Sequence, residues 1–204
     1  MPASLHIITD TVLQQKFSHA ELARMAWEGG ADVVQFREKR FHAYHRLRLA
    51  EEIAALPRQK KQKLIINDFP QIAALSGADG VHLGSSDWEP EKARIFLGDK
   101  AIIGATVHNE NELIALEGTH IDYIGVGPVF GTKSKDTGLP ELSLKGLEAI
   151  CKKSTWPVIA IGSVTLENVK EVIAAGAWGV AVLSHFCLAE NPVDVAKKFR
   201  EILG

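Results

Sequence analysis

The chain has 204 residues, 46% hydrophobic and 24% charged, with a formal net charge of -2. That length suits one domain with a large core, and that charge offers no handle for nucleic acid or an anionic membrane. Cys151 and Cys187 lack metal-ligand spacing, the N-terminus M-P-A-S-L-H-I-I-T-D lacks a signal-peptide pattern, and no uncharged stretch reaches bilayer length. A soluble, cytoplasmic protein with reduced thiols is therefore expected.

Strand-like apolar runs alternate with helix-period segments along the chain. L-H-I-I-T (5–9) comes first, followed by the amphipathic stretch 19–27, which stops at Gly29-Gly30. D-V-V-Q-F-R (32–37) is the second strand, and 44–56 the second helix. The run K-K-Q-K (60–63) reads as a solvated turn before L-I-I-N (64–67). G-V-H-L (80–83), A-I-I-G-A (101–105) and Y-I-G-V (123–126) follow, with Gly77 closing a helix before the first of them. Helix-period residues 142–150, P-V-I-A-I (157–161), 166–175, G-V-A-V-L (179–183) and 192–203 complete the series. Eight strands alternating with helices predict a single (β/α)8 barrel over residues 1–204. An open doubly wound sheet is the other arrangement, but no G-x-G-x-x-G follows the first strand.

Catalytic groups of such barrels sit where strands run into βα loops. Polar residues occupy nearly every such place here: Thr9-Asp10, Gln35 to Lys39, Asn67-Asp68, His82 and the loop to Asp87, Thr106 and His108, G-T-K-S-K (131–135), Gly162-Ser163, and Ser184-His185. Helix capping accounts for Thr9-Asp10 and for Asp68. It does not account for Arg37 and Lys39, which share a strand face with Val33 and Gln35, while Val34, Phe36 and Glu38 take the other. Desolvated cations need a compensating anion. Arg37, Lys39 and Lys135 make a positive patch with Asn67 as neutral donor, and Asp68 and Asp87 are hard oxygen ligands suited to Mg²⁺ beside phosphate oxygens. That combination points to a diphosphate. The small residues of I-G-S-V-T and L-S-H-F offer a second, metal-free phosphate site. A transferase acting on a diphosphate and a monophosphate is expected.

V-Q-F-R-E-K, I-I-N-D, G-A-D-G-V-H-L-G-x-x-D, I-I-G-x-T-x-H, D-Y-I-G-V-G-P-V-F-x-T-x-S-K, P-V-I-A-I-G and G-V-A-V-L-S together resemble the thiamine-phosphate synthase and TenI family from Leu5 to about Pro192. The resemblance implies a (β/α)8 enzyme that joins hydroxymethylpyrimidine diphosphate to thiazole phosphate and releases pyrophosphate with Mg²⁺. It implies that Gln35, Arg37, Lys39, Asn67 and Lys135 hold the pyrimidine diphosphate and that Asp68 and Asp87 bind the metal. It sets Thr106 near the reacting groups, with Arg37, Lys39 and Lys135 assisting the chemistry, and gives the thiazole phosphate to Thr132, Ser134, Gly162, Ser163 and Ser184. Departures from the family pattern are Phe69 for an Arg, Ser85 for a Gln, Thr106 for a Ser, G-T-K-S-K for P-T-x-T-K, and Ser163 for a Gly. Two other readings compete: a TenI-like thiazole tautomerase, which would want a His where Pro128 stands, and a non-catalytic ligand-binding regulator.

His82 has two readings, a contact to the pyrimidine or a hydrogen bond within the barrel. His6 reads as a core histidine, His19, His42, His45 and His120 as solvated, and His108 and His185 as either site or structural groups. Trp27, Trp156 and Trp178 read as helix–barrel packing, and Trp88 as a shield for the Asp87 loop.

Overall fold

A computed structural model of the chain describes residues 3–131 and 140–204. Eight parallel strands close into a barrel in sequence order: β1 (Ser4–Thr9), β2 (Val33–Phe36), β3 (Lys63–Asn67), β4 (Gly80–Leu83), β5 (Ile102–Val107), β6 (Tyr123–Val126), β7 (Val158–Ile161) and β8 (Gly179–Val182), with β8 returning to β1. Between and after them lie α1 (His19–Glu28), α2 (Ala43–Ala54), α3 (Pro70–Ser76), α4 (Pro90–Leu97), α5 (Glu110–Ala115), α6 (Ser143–Lys153), α7 (Val169–Ala174), α8 (Ser184–Cys187) and α9 (Pro192–Leu203). Among the described residues no helix is long and apolar enough to cross a membrane.

The period of two gives each strand an outer and an inner face. Outward residues such as Ile7, Val34, Phe36, Leu64, Ile66, Val81, Ile103, Ile124, Val158 and Val180 are buried against the helices in one large apolar cluster. That layer supplies most of the hydrophobic stabilisation, at roughly 25 cal/mol per Å² of apolar surface removed from water. The inner cluster is far smaller: Ile8, Tyr123, Ile159 and Ala181. Polar side chains and glycines fill the rest of the lumen. Gly104 shows why: a Cβ there would stand 2.2 Å from the Tyr123 ring and 2.6 Å from the His82 imidazole.

Several expectations need correction. Strand β5 runs to Val107, so Thr106 is a strand residue rather than the start of a loop. Ser18 caps α1, its hydroxyl accepting from Glu21 N while Glu21 reaches back to Ser18 N, so Thr9 and Asp10 are not that helix's caps. His19 is not solvated but buried. Gln62, within the supposed solvated turn, is buried and donates to the carbonyls of Trp27 and Ala31, while Lys63 opens β3 and pairs with Asp79. Trp27 packs in the core and Trp156 against it, but Trp178, in the turn that leads into β8, is 44% exposed. Trp88 sits edge-on to Phe96, at 5.5 Å between ring centres.

Candidate active site

A cleft of about 140 Å³ opens within the barrel. That is on the order of the roughly 150 Å³ at which a protein cavity admits one aromatic ring. Gln35, Arg37, Asn67, His82 and Thr106 line it from β2 to β5, and Gly162, Ser163 and Ser184 line it from the β7 and β8 loops. Lys39, Asp68 and Asp87 do not line it; they gather in the loops after β2, β3 and β4. Thr132, Ser134 and Lys135 lie outside the described residues. The cleft also takes in His108, left above as either a site or a structural group, and His6, Tyr123 and Pro128, none of which sequence reasoning assigned to a site. For His6 and Tyr123 the signal was available: the inner-face parity that selects Ile8 also selects His6, and Tyr123 shares parity with Gly125 and Gly127.

Arg37 is not a free cation. The register sets Ile8 against Gln35, so two residues further on Asp10 faces Arg37, and the carboxylate pairs with its guanidinium. Asp10 is buried and also accepts from Val12 N at 2.7 Å and Leu13 N at 3.2 Å. Its second oxygen remains for the arginine.

Glu38, on the opposite face, is an organiser of backbone. Its carboxylate accepts from Arg40 N at 2.5 Å and from the Thr11 hydroxyl at 3.1 Å, and lies 3.1 Å from His19 Nε2. Burial works to raise its pKa, but these hydrogen bonds prevail and hold it below the ordinary carboxylate range. Burial also pushes the His19 imidazole down despite the neighbouring Glu38 charge. A neutral His19 then donates from Nε2 to Glu38 and accepts at Nδ1 from the Thr9 hydroxyl, 2.8 Å away. Arg46 completes the brace: it donates to the carbonyls of Glu38 and Phe41, and its guanidinium stacks 3.9 Å over the Phe69 ring. Phe69 is therefore a packing platform and does not line the cleft.

Lys39 pairs with Asp68, whose backbone is held in the left-handed region at φ 68°. Asp87 Oδ2 accepts from Gly84 N at 2.7 Å. Burial raises the Asp87 pKa, the adjacent Asp68 carboxyl adds to the effect, and Gly84 and Lys39 oppose it. Two carboxylates this close favour a cation between them. No group of three or more His, Cys, Asp or Glu side chains able to hold a metal occurs among the described residues. A hard divalent ion completed by phosphate oxygens and water fits that donor set.

On the far side, Gly162 and Ser163 both have positive φ, 108° and 48°. A side chain at position 162 would meet Pro128 at 2.6 Å. The Ser163 hydroxyl donates to the Gly131 carbonyl at 2.5 Å. It ties the β7 loop to the chain after β6, and Asn168 Nδ2 donates to the Ser163 carbonyl beneath it. His108 is anchored at the β5 end, with its amide donating to Glu112 at 2.8 Å and Nδ1 at 2.9 Å from the same carboxylate.

The family description "Thiamine monophosphate synthase" matches residues 5–186. A thiamine-phosphate synthase from Salinibacter ruber is 43% identical over 96% of this chain and 86% of its own length. Another, from Methanoregula boonei, is 39% identical over 98% of this chain and 93% of its own. The solved thiamine phosphate pyrophosphorylase from Pyrococcus furiosus superposes with a TM-score of 0.89 at 31% identity, covering 98% of this chain and 95% of that one.

Proposed function

The chain belongs to the thiamine monophosphate synthase family, and from that premise we propose that it is a transferase joining hydroxymethylpyrimidine diphosphate to a thiazole phosphate. The observation that carries this reading is a single cleft with two chemically distinct walls. One is built from Gln35, Arg37, Asn67 and Thr106, the other from Gly162, Ser163 and Ser184.

In the proposed reaction the bond between the pyrimidine methylene carbon and the diphosphate oxygen breaks, and its electron pair leaves with pyrophosphate. The thiazole nitrogen then gives its lone pair to the methylene carbon. No proton need be transferred, so positioning and electrostatics carry the catalysis. Arg37, braced by Asp10, and Lys39 would stabilise charge on the departing diphosphate, with Lys135 beside them by family resemblance. Asn67 would donate to a phosphate oxygen, and Gln35 and His82 would meet the pyrimidine. Thr106 would present its hydroxyl to the reacting groups. Ser184 and the backbone of Gly162 and Ser163, with Thr132 and Ser134 by family resemblance, would hold the thiazole phosphate. Asp68 and Asp87 would hold Mg²⁺, which when bound supplies positive charge at the diphosphate. A cytoplasmic location is part of the same reading, on the strength of two free cysteines, Cys151 and Cys187.

Purified protein given both halves and Mg²⁺ should release pyrophosphate in step with thiamine phosphate. No turnover at saturating substrate would overturn the reading and leave the tautomerase or the regulator.

A further inference from the structure

The floor of the cleft is a stack of polar rings. His82 and Tyr123 lie face to face, 5.4 Å between ring centres at 27°, and His6 meets Tyr123 edge-on at 5.3 Å. The Tyr123 hydroxyl oxygen is 3.0 Å from His82 Nδ1, and His82 Nε2 is 3.0 Å from Thr106 Oγ1. Gly104 and Gly125 make room for the stack. A Cβ on the first would collide with both rings, and one on the second would stand 2.9 Å from His82 Cε1. A chain of hydrogen bonds therefore runs from the floor to Thr106, and its direction decides what Thr106 presents to a ligand.

The direction follows from what each group can donate. Burial holds the Tyr123 phenol above its ordinary value, so it keeps its proton. The hydroxyl is buried and must place that proton on an acceptor, and among the described residues His82 Nδ1 is the group in hydrogen-bonding geometry with it, 3.0 Å away. The phenolic O–H therefore donates to Nδ1 of His82. An imidazole that accepts at Nδ1 carries its proton on Nε2.

We propose that Tyr123 is a positioning residue that fixes His82 as the Nε2–H tautomer, so that His82 donates to Thr106 Oγ1 and turns the Thr106 hydroxyl proton into the cleft. A ligand ring nitrogen that accepts a hydrogen bond is complementary to that hydroxyl, as a nitrogen of the aminopyrimidine in the proposed substrate is. Only this last step rests on the reading of the protein as a synthase. The reverse polarity would have Thr106 donate to His82 and show the ligand a lone pair.

The test has two arms. Long-range proton–nitrogen correlation NMR on ¹⁵N-histidine-labelled, unliganded protein reports the protonated nitrogen of His82, assigned by its loss in His82→Gln. Protonated Nε2 is expected, with a mixture of tautomers in Tyr123→Phe; protonated Nδ1 in the unsubstituted protein overturns the proposal. This arm needs no turnover, so it stands apart from whether the reaction is correctly assigned. In the kinetic arm, Tyr123→Phe, which keeps the stacked ring, should lower kcat on the order of tenfold, the scale of one hydrogen bond. KM for the diphosphate should hardly change. Thr106→Val should lose as much, and the double variant no more than either, because the residues act in one chain. Losses that multiply in the double variant would make the Tyr123 effect one of packing and overturn the relay.

Discussion

The carboxylate of Asp10 faces the guanidinium of Arg37 across the first two strands of the barrel, where the Ile8–Gln35 register brings them together. The pair neutralises a half-buried cation at the mouth of the lumen, and the two backbone amides that bind Asp10 fix where the arginine points. Asp10→Asn keeps the shape and the amide contacts but removes the charge. Its expected effects are a loss of about 2 kcal/mol of stability, the scale of a hydrogen bond to a charged group, and a KM for the pyrimidine diphosphate raised on the order of tenfold. Denaturant unfolding and steady-state kinetics with each substrate varied check both. A KM that rises only for the thiazole phosphate would move Arg37 to the other wall.

Asp87 and Asp68 are the carboxylates proposed to hold Mg²⁺. Asp87→Asn keeps an acceptor for Gly84 N but halves the anionic charge. Expected is a Mg²⁺ concentration for half-maximal activity raised on the order of tenfold or more, with the melting temperature little changed. Calorimetric titration of Mg²⁺ in the presence of pyrophosphate reads the same loss without turnover. Full Mg²⁺ affinity in the variant would remove Asp87 from the site.

Ser163, where the family resemblance expects a glycine, adopts a glycine-like φ of 48°. Its hydroxyl is engaged by the Gly131 carbonyl, so the side chain ties two loops together instead of projecting into the phosphate wall. Ser163→Ala keeps the strained backbone and loses the tie; it should cost about 1 kcal/mol of stability and raise KM for the thiazole phosphate several-fold. Ser163→Gly also loses the tie but relieves the strain, roughly 1 kcal/mol for a left-handed residue, so its stability should stay near that of the unsubstituted protein. Tighter thiazole-phosphate binding in the glycine variant would mean that the side chain intrudes after all.

His6 is buried in the lumen, where desolvation, with a further contribution from His82, lowers its pKa from 6.5 to about 3. The folded protein resists protonating it while the unfolded chain does not. As pH falls below 6.5 the unfolded state binds the extra proton, so stability is full above that value and declines toward about 3. Between pH 6.5 and 5 the decline should be about 2 kcal/mol from His6; His19, also lowered by burial, acts with the same sign. Denaturation series at these pH values, repeated on His6→Gln, should show the smaller slope in the variant. Equal slopes would mean that His6 titrates normally in the folded protein.

The eight strands were legible because burying one strand face against helices demands an apolar residue at every second position, and that alternation survives in Ile7, Val34, Ile66 and Val81. The wall of Gln35 and Arg37 was legible for the converse reason: polar residues on the inner face of a core strand have no packing explanation. Asp10 was misread as a helix cap because a short acidic residue after a strand fits that role, and only the register of β1 on β2 brings it to Arg37. His19 was misread as solvated because its partners, Thr9 and Glu38, lie 10 and 19 residues away.

The sequence by itself determined the barrel, its order of elements and the end of it that carries polar groups, since these follow from periodicity and chain order. The tertiary structure decided which charges neutralise one another and which way the hydrogen bonds point, as in Tyr123, His82 and Thr106. The physical reason is range. Periodicity is a property of neighbours along one strand, whereas a hydrogen bond forms only within about 3 Å, and in a closed barrel that distance is set by the register of strands far apart in the chain.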